Sequence, residues 1–233
     1  MSSGFFSFYA HTGFVSVLEE NGLLPARISG SSAGALVGGA WAAGLPAADL
    51  AGELERLERK DFWDPGVGAG LLRGRLFRER LDRLLPVARF DQTRVPVAMS
   101  VFEIRGRTTK VIDAGLLAPA IQASCAVPLL FHPVSIEWRR YYDGGILDRP
   151  GLEGMPSSEE RLLFHHIASR SPWRSKSEPM PTRAGMITLA IENLPRSGPF
   201  KLDQGRAAYR AAREATKRAL DRPIEDERVL VGA

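Results

Sequence analysis

The chain has 233 residues, 44% of them hydrophobic and 25% charged, with 31 basic against 27 acidic side chains and a formal net charge of +4. Those values fit one α/β domain over residues 1–233 with a sizeable core, and they exclude a disordered or fibrous chain. One cysteine, Cys125, excludes an internal disulfide framework, and no apolar run reaches the ~18 residues of a spanning helix.

The basic excess is small and spread over RLERK (56–60), RGRLFRERLDR (73–83) and RAAYRAAREATKR (206–218). Interspersed acids make these solvated helix faces with at most a weak attraction for anionic phospholipid headgroups, so no nucleic-acid partner is expected. The start, MSSGFFSFYAHTG, lacks the basic and continuous apolar stretches of a signal peptide. With a lone cysteine this makes the cytoplasm the expected location.

In chain order, Phe14, Val17 and Leu18 sit at helical spacing and predict a helix between Gly13 and Asn21. A short strand is predicted at 26–29, followed by Gly30-Ser31-Ser32-Ala33-Gly34 and a small, apolar, fully buried helix over 35–44. Leu50, Leu54 and Leu57 mark another helix, and Leu76, Phe77, Leu81, Leu84 and Leu85 a third. VPVAMSVFEI (95–104) and TTKVID (108–113) flank Arg105-Gly106-Arg107 as a hairpin with a short glycine turn. A helix is predicted over 116–124, then paired strands around 134–142 leading into Asp143-Gly144-Gly145. RLLFHHIAS (161–169) and GMITLAIE (185–192) read as buried strands, the polar segment 171–185 as a mobile loop, and 203–220 as a final helix. Alternating strands and helices predict a central sheet covered on both sides.

Gly30-Ser31-Ser32-Ala33-Gly34 matches G-x-S-x-G between a strand and a helix. Such a turn exposes its serine in a strained conformation beside the N–H groups of a helix N-terminus, which favour an oxyanion. The spacing selects Ser32 as nucleophile rather than Ser31; the competing reading is a tight strand–helix turn. A phosphate loop is a second rival, but no Gly-Lys-Ser/Thr ending places a lysine on a phosphate. A serine needs a base. His165 or His166 with Asp143 would give the Ser–Asp–His order of α/β-hydrolases, although adjacent strand histidines also read as packing plus exposure. Asp143 itself is the better candidate, because an apolar setting raises a carboxylate pKa and two glycines permit close approach; the plain alternative is an Asp-Gly turn.

Three segments in order resemble the patatin-like phospholipases: GSSAGALVGGAWAAGL (30–45), AIQASCAVPLLFHPV (120–134) and YYDGG (141–145). The resemblance covers roughly residues 3–148. It implies a three-layer α/β/α fold with a central mostly parallel sheet. It implies a Ser–Asp dyad without histidine, formed by Ser32 and Asp143, with Gly30, Gly34, Gly144 and Gly145 as motif glycines. It further implies a lipid acyl-ester substrate, transient contact with membrane surfaces, and no metal or organic cofactor. The alternative within the family is a non-catalytic relative that binds lipid. The family's glycine-rich oxyanion loop is represented only by Gly4, in Ser3-Gly4-Phe5-Phe6-Ser7-Phe8, so the oxyanion donors are expected to be the N–H groups of Gly4, Phe5 and Phe6. The family's strand before this loop has only Met1 and Ser2 to form it, so either the sheet lacks a strand there and the loop an anchor, or the start is assigned too late. Phe5, Phe6, Phe8, Leu71, Leu72, Leu129 and Phe131 are candidates for an acyl groove, and GVGAGLLRGRLF (66–77) for a mobile cap.

Overall fold

The computed structural model describes residues 1–156, 161–167, 181–224 and 227–233. The helix α1 (Phe8–Glu20) begins five residues before the periodicity predicts, because its first turn is buried on both sides. Then come β1 (Ile28–Ser31), α2 (Ala33–Ala42) and α3 (Ala47–Glu55). All ten residues of α2 are buried, and their small size lets the helix lie close on the sheet. After β2 (Gly70–Leu72), α4 (Arg75–Leu84) presents Leu81 to the core. The Asp64 carboxylate accepts from the N–H groups of Gly74, Arg75 and Leu76 at 3.0, 2.6 and 3.1 Å and fixes where α4 starts.

The predicted hairpin forms as β3 (Val97–Glu103) and β4 (Thr108–Ile112), antiparallel, but Arg107 rather than Gly106 takes the positive φ, at 51°. Next come α5 (Leu117–Ser124), β5 (Leu129–Phe131), β6 (Val134–Ile136) and β7 (Arg139–Asp143). Glu137 and Trp138 turn β6 into β7 with φ of 47° and 68°, so both central residues are left-handed, a twist that suits a two-residue hairpin loop. The last elements are β8 (Leu162–Ile167), β9 (Met186–Glu192), α6 (Leu202–Leu220) and β10 (Arg228–Gly232). Of the loop predicted at 171–185, residues 171–180 lie outside the described residues.

The strands form a five-stranded sheet (β1, β3, β4, β6, β7), a parallel three-stranded sheet in the order β10-β9-β8, and the pair β2-β5. The segment predicted as a mobile cap is therefore tied down: Gly70 and Leu72 pair with Leu129 and Phe131. Between the two larger sheets lies Met1–Ser3. The Met1 nitrogen donates to Ser29 O at 2.8 Å and Met1 O accepts from Ser31 N at 3.3 Å, while Ser2 N donates to His165 O at 3.2 Å. Ser2 Oγ, in place of a backbone carbonyl, accepts from Ile167 N at 3.0 Å. Three residues thus occupy the place where the sequence predicts a missing strand.

The two residues singled out by the motifs meet along one edge of β3. Val97–Ser100 pairs in parallel with β1, and Val101–Glu103 pairs antiparallel with β7, while β4 takes the opposite edge. β1 therefore runs up to Ser31, opposite Ser100, and β7 runs down to Asp143, opposite Val101. Two strands from distant parts of the chain meet head to head, and the residues at the junction are Ser32 and Asp143. Helices cover the sheets: α2 sits against β1, β3 and α5, and α1 packs on α6. The α1–α6 contact is close because α6 buries a small-residue stripe, Gly205, Ala208, Ala212, Ala215 and Ala219. No helix among the described residues is long and apolar enough to cross a membrane.

Candidate active site

Ser32 sits between β1 and α2 with φ 53° and ψ −118°, a sparsely populated region for a side chain with a Cβ, at a cost of about 1–3 kcal/mol. The motif glycines make this turn possible by close approach. A Cβ on Gly30 would come within 2.5–2.7 Å of the Gly34 and Ala35 backbone, and one on Gly34 would strike Met1 O and Ser2 O. Ser32 N donates to Ser124 Oγ at 2.9 Å, Ser124 Oγ donates to Ser100 O at 2.7 Å, and the Cys125 thiol donates to Ser32 O at 3.2 Å. Burial, with the nearby Asp143 charge, pushes the Cys125 thiol up, so it stays a protonated donor. Ser31 Oγ is buried beside Gly144 and has no hydrogen-bond partner among the described residues.

The Ser32 hydroxyl donates to Asp143 Oδ2 at 2.6 Å. Asp143 Oδ1 accepts from Gly145 N at 2.8 Å, and Asp143 N donates to Ala126 O at 2.9 Å. Burial raises the Asp143 carboxyl from 3.8 to about 6, opposed in part by the hydrogen bonds from Ser32 and Gly145. Gly144 passes so close to Ser100 O that no side chain fits, and a Cβ on Gly145 would meet Ser3 Oγ at 2.5 Å. The Asp-Gly-Gly motif therefore packs on β3 with one glycine and on the N-terminal loop with the other.

That loop is held on three sides. Ser3 N donates to Arg149 O at 2.7 Å, Ser7 N donates to Gly4 O at 3.0 Å, and the His11 ring bonds Ser2 O at 2.8 Å. Phe6 has φ 56°. The N–H groups of Gly4, Phe5 and Phe6 make no hydrogen bond among the described residues. Asp148 anchors the adjoining turn: it accepts from Ser100 Oγ at 2.5 Å and from Gly151, Leu152 and Glu153 N–H at 2.9, 3.2 and 3.1 Å. The supporting roles of Ser124, Cys125 and Asp148 are not readable from sequence. Ser124 and Cys125 lie inside the second resembling segment, which is the only signal they give.

None of the four histidines bonds Ser32 or Asp143. His11 Nε2 donates to Ser2 O, so its Nδ1 must accept the proton on His165 Nδ1, 2.8 Å away. Burial keeps both rings neutral, His11 at about 3 and His165 well below its usual value. His165 Nε2 is left buried without a partner among the described residues. His166 points to the other face of β8, tilted on Phe164 at 5.7 Å, and His132 bonds Gly70 O at 3.1 Å. No cluster of His, Cys, Asp and Glu among the described residues could hold a metal ion. Of the candidate groove residues, Phe5, Leu71 and Leu129 are exposed, Leu72 is core, and Phe6 and Phe8 pack against the core.

The family model for patatin-like phospholipase matches residues 1–155. Uncharacterized NTE family proteins of Mycobacterium bovis and Mycobacterium tuberculosis are 32% identical to the chain over 143 residues, 60% of this chain. The chain spans 40% of the length of these relatives. The crystal structure of VipD from Legionella pneumophila superposes with a TM-score of 0.64 at 16% identity, covering 94% of this chain and 66% of that one. At that identity the likeness speaks for the fold, a three-layer α/β/α arrangement. Together with the elbow at the head-to-head junction, the match over residues 1–155 places this chain in the patatin-like phospholipase family.

Proposed function

We propose that the protein is a serine acyl-ester hydrolase acting on lipids, with Ser32 as nucleophile and Asp143 as its base. The observation that carries this reading is the 2.6 Å hydrogen bond from the Ser32 hydroxyl to the buried Asp143 carboxylate at a strained elbow. With its pKa near 6, Asp143 is largely ionised at neutral pH and a stronger base than an ordinary carboxylate. As Ser32 Oγ bonds the ester carbonyl carbon, its proton passes to Asp143 Oδ2. The carbonyl oxygen becomes an oxyanion, received by the N–H groups of Gly4, Phe5 and Phe6 and by the positive end of α2. Collapse breaks the ester C–O bond, and the departing alkoxide takes the proton from Asp143. Water then gives a proton to Asp143 and adds to the acyl-serine. Ser32 leaves, recovers that proton, and the free acid is released. These steps call on no metal or organic cofactor.

The choice of a lipid ester rests on the family; the residues alone support acyl transfer. The free Cys125 thiol beside Ser32 suits a reducing cytoplasm. The test is labelling with a fluorophosphonate, followed by mass spectrometry. The label is expected on Ser32, and Ser32→Ala and Asp143→Asn should each abolish turnover of a lipid ester. A label on another residue, no label at all, or normal turnover in Asp143→Asn would overturn the assignment.

A further inference from the structure

The loop at Ser32 carries an aromatic face that the chemistry above does not use. Phe5 is 50% exposed and stacks edge-on against Phe6 at 5.0 Å. Phe6 packs edge-on against Phe62 at 5.7 Å. The neighbouring Trp63 meets Phe200 at 5.5 Å, and Phe200 is 68% exposed. A Cβ at Gly198, two residues before Phe200, would lie 3.8 Å from Phe5. The contacts close a ring, so Phe5 and Phe200 belong to one surface patch. The Arg59 guanidinium lies over Phe200 at 5.0 Å and over Trp63 at 5.7 Å.

The charges around the patch leave a small positive excess. Glu58 is paired with Lys60, Asp61 with Arg80, and Asp203 and Glu55 with Arg206. Arg59, Arg196 and Lys201 make no ion pair among the described residues, and Arg196 and Lys201 are exposed on the segment that carries Phe200. Exposed large aromatic rings cost solvation unless something covers them. Aromatic rings with cations that have no acidic partner match a bilayer surface, where rings settle at headgroup level and the cations meet lipid phosphates.

We infer that this face, formed by Phe5, Trp63 and Phe200 with Arg59 and Lys201, docks the protein on an anionic phospholipid bilayer. Phe5 lies within the loop whose N–H groups face the oxyanion, so docking would bring the lipid surface to the mouth of the site. That use of the docked lipid rests on the acyl-hydrolase reading; the docking itself does not.

The experiment uses the Ser32→Ala chain, which binds without turnover, sedimented with vesicles of phosphatidylcholine alone or mixed with phosphatidylglycerol. Expected is binding to the mixed vesicles that weakens as salt rises. Phe200→Ser should reduce partitioning on the order of tenfold, and Arg59→Gln or Lys201→Gln about fivefold each, with thermal midpoints unchanged. In the Ser32-containing protein the same three substitutions should leave hydrolysis of a short soluble ester unaltered and slow hydrolysis of vesicle lipid. Equal binding to neutral and mixed vesicles, or unchanged binding in Phe200→Ser, overturns the proposal. So does a dimer that dissociates in Phe200→Ser while vesicles are ignored, since the face would then belong to a second copy. If vesicles are bound and no ester is cleaved, docking stands and the hydrolase reading falls.

Discussion

Replacing Asp143 with asparagine should abolish catalysis and make the folded protein more stable at neutral pH. The carboxyl titrates at about 6 in the folded chain against 3.8 when unperturbed, and burial is the main cause. Between those two values the folded state holds a proton that the unfolded state has released, so stability falls as pH rises through that window. Below 3.8 the group costs nothing through this route; above about 6 the full penalty of a buried carboxylate is present. A shift of about two units corresponds to roughly 3 kcal/mol. Asparagine keeps the shape, can still accept from Gly145 N, and can donate to Ser32 Oγ, so the geometry holding the elbow survives while the charge is gone. For a chain of this length that gain corresponds to roughly 5–10 °C in thermal midpoint.

The assay is the difference in unfolding free energy between wild type and Asp143→Asn, from urea titrations at pH 4 and pH 8. Taking the difference removes the contributions of the other carboxylates, which both proteins share. The advantage of the variant should be roughly 2–3 kcal/mol at pH 8 and only about half a kcal/mol at pH 4. An advantage of the same size at both pH values, or a variant less stable than wild type at pH 8, would refute the argument that burial of a charge sets the Asp143 pKa.

The same carboxylate should govern the rate: kcat/KM on a soluble ester is expected to rise with pH along a limb centred near 6, measured across pH 4.5–8 in wild type. Ser124→Ala would remove the acceptor of Ser32 N–H and the donor to Ser100 O, so a loss of ~1–3 kcal/mol in urea unfolding and a larger effect on kcat than on KM are expected. Gly34→Ala forces a methyl into the Met1–Ser2 backbone and displaces the loop that follows; kcat should drop at least on the order of tenfold. Gly52→Ala in α3, where the nearest atom is an Arg56 side-chain nitrogen at 3.6 Å, should leave kcat unchanged and raise stability in urea by roughly 0.5–1 kcal/mol. His165→Gln and His166→Ala should keep fluorophosphonate labelling of Ser32, and loss of labelling in either folded variant would point to a histidine base.

Much of the fold can be read in the sequence because it rests on local periodicity. The hairpin of β3 and β4, the buried helix α2, the paired strands before Asp143 and the final helix α6 all follow from spacing of apolar and small residues. The strands β2 and β5 are three residues each and carry no alternation to detect, so their pairing is invisible before folding. β10 has a clear alternation, with Val229 and Val231 buried between exposed neighbours, and is legible in the last residues. At the site, Ser32 and Asp143 stand out because their neighbours are glycines, and the reason is physical: each glycine marks a backbone crossing too tight for a Cβ. Ser124 and Asp148 have no such mark. They act through hydrogen bonds to main-chain atoms far away in sequence, and such partners are defined only by the fold.

The same distinction explains why the dyad could be named from sequence but not located. Ser32 and Asp143 are separated by 111 positions, and nothing local to either requires them to touch. What brings them together is the division of one edge of β3 between two strands of opposite direction, whose ends abut at Ser100 and Val101. Ser100 is the pivot of that junction. Its carbonyl accepts from Ser124, which holds the elbow; its hydroxyl donates to Asp148, which holds the turn after Asp143; and its backbone leaves room only for Gly144. A strand slip of one residue at β3 would carry one partner away from the other and turn alternate side chains to the wrong face. The proposed reactive pair is thus a property of strand register, and on that reading the residues that secure the register around Ser100 are as necessary to the chemistry as Ser32 and Asp143 themselves.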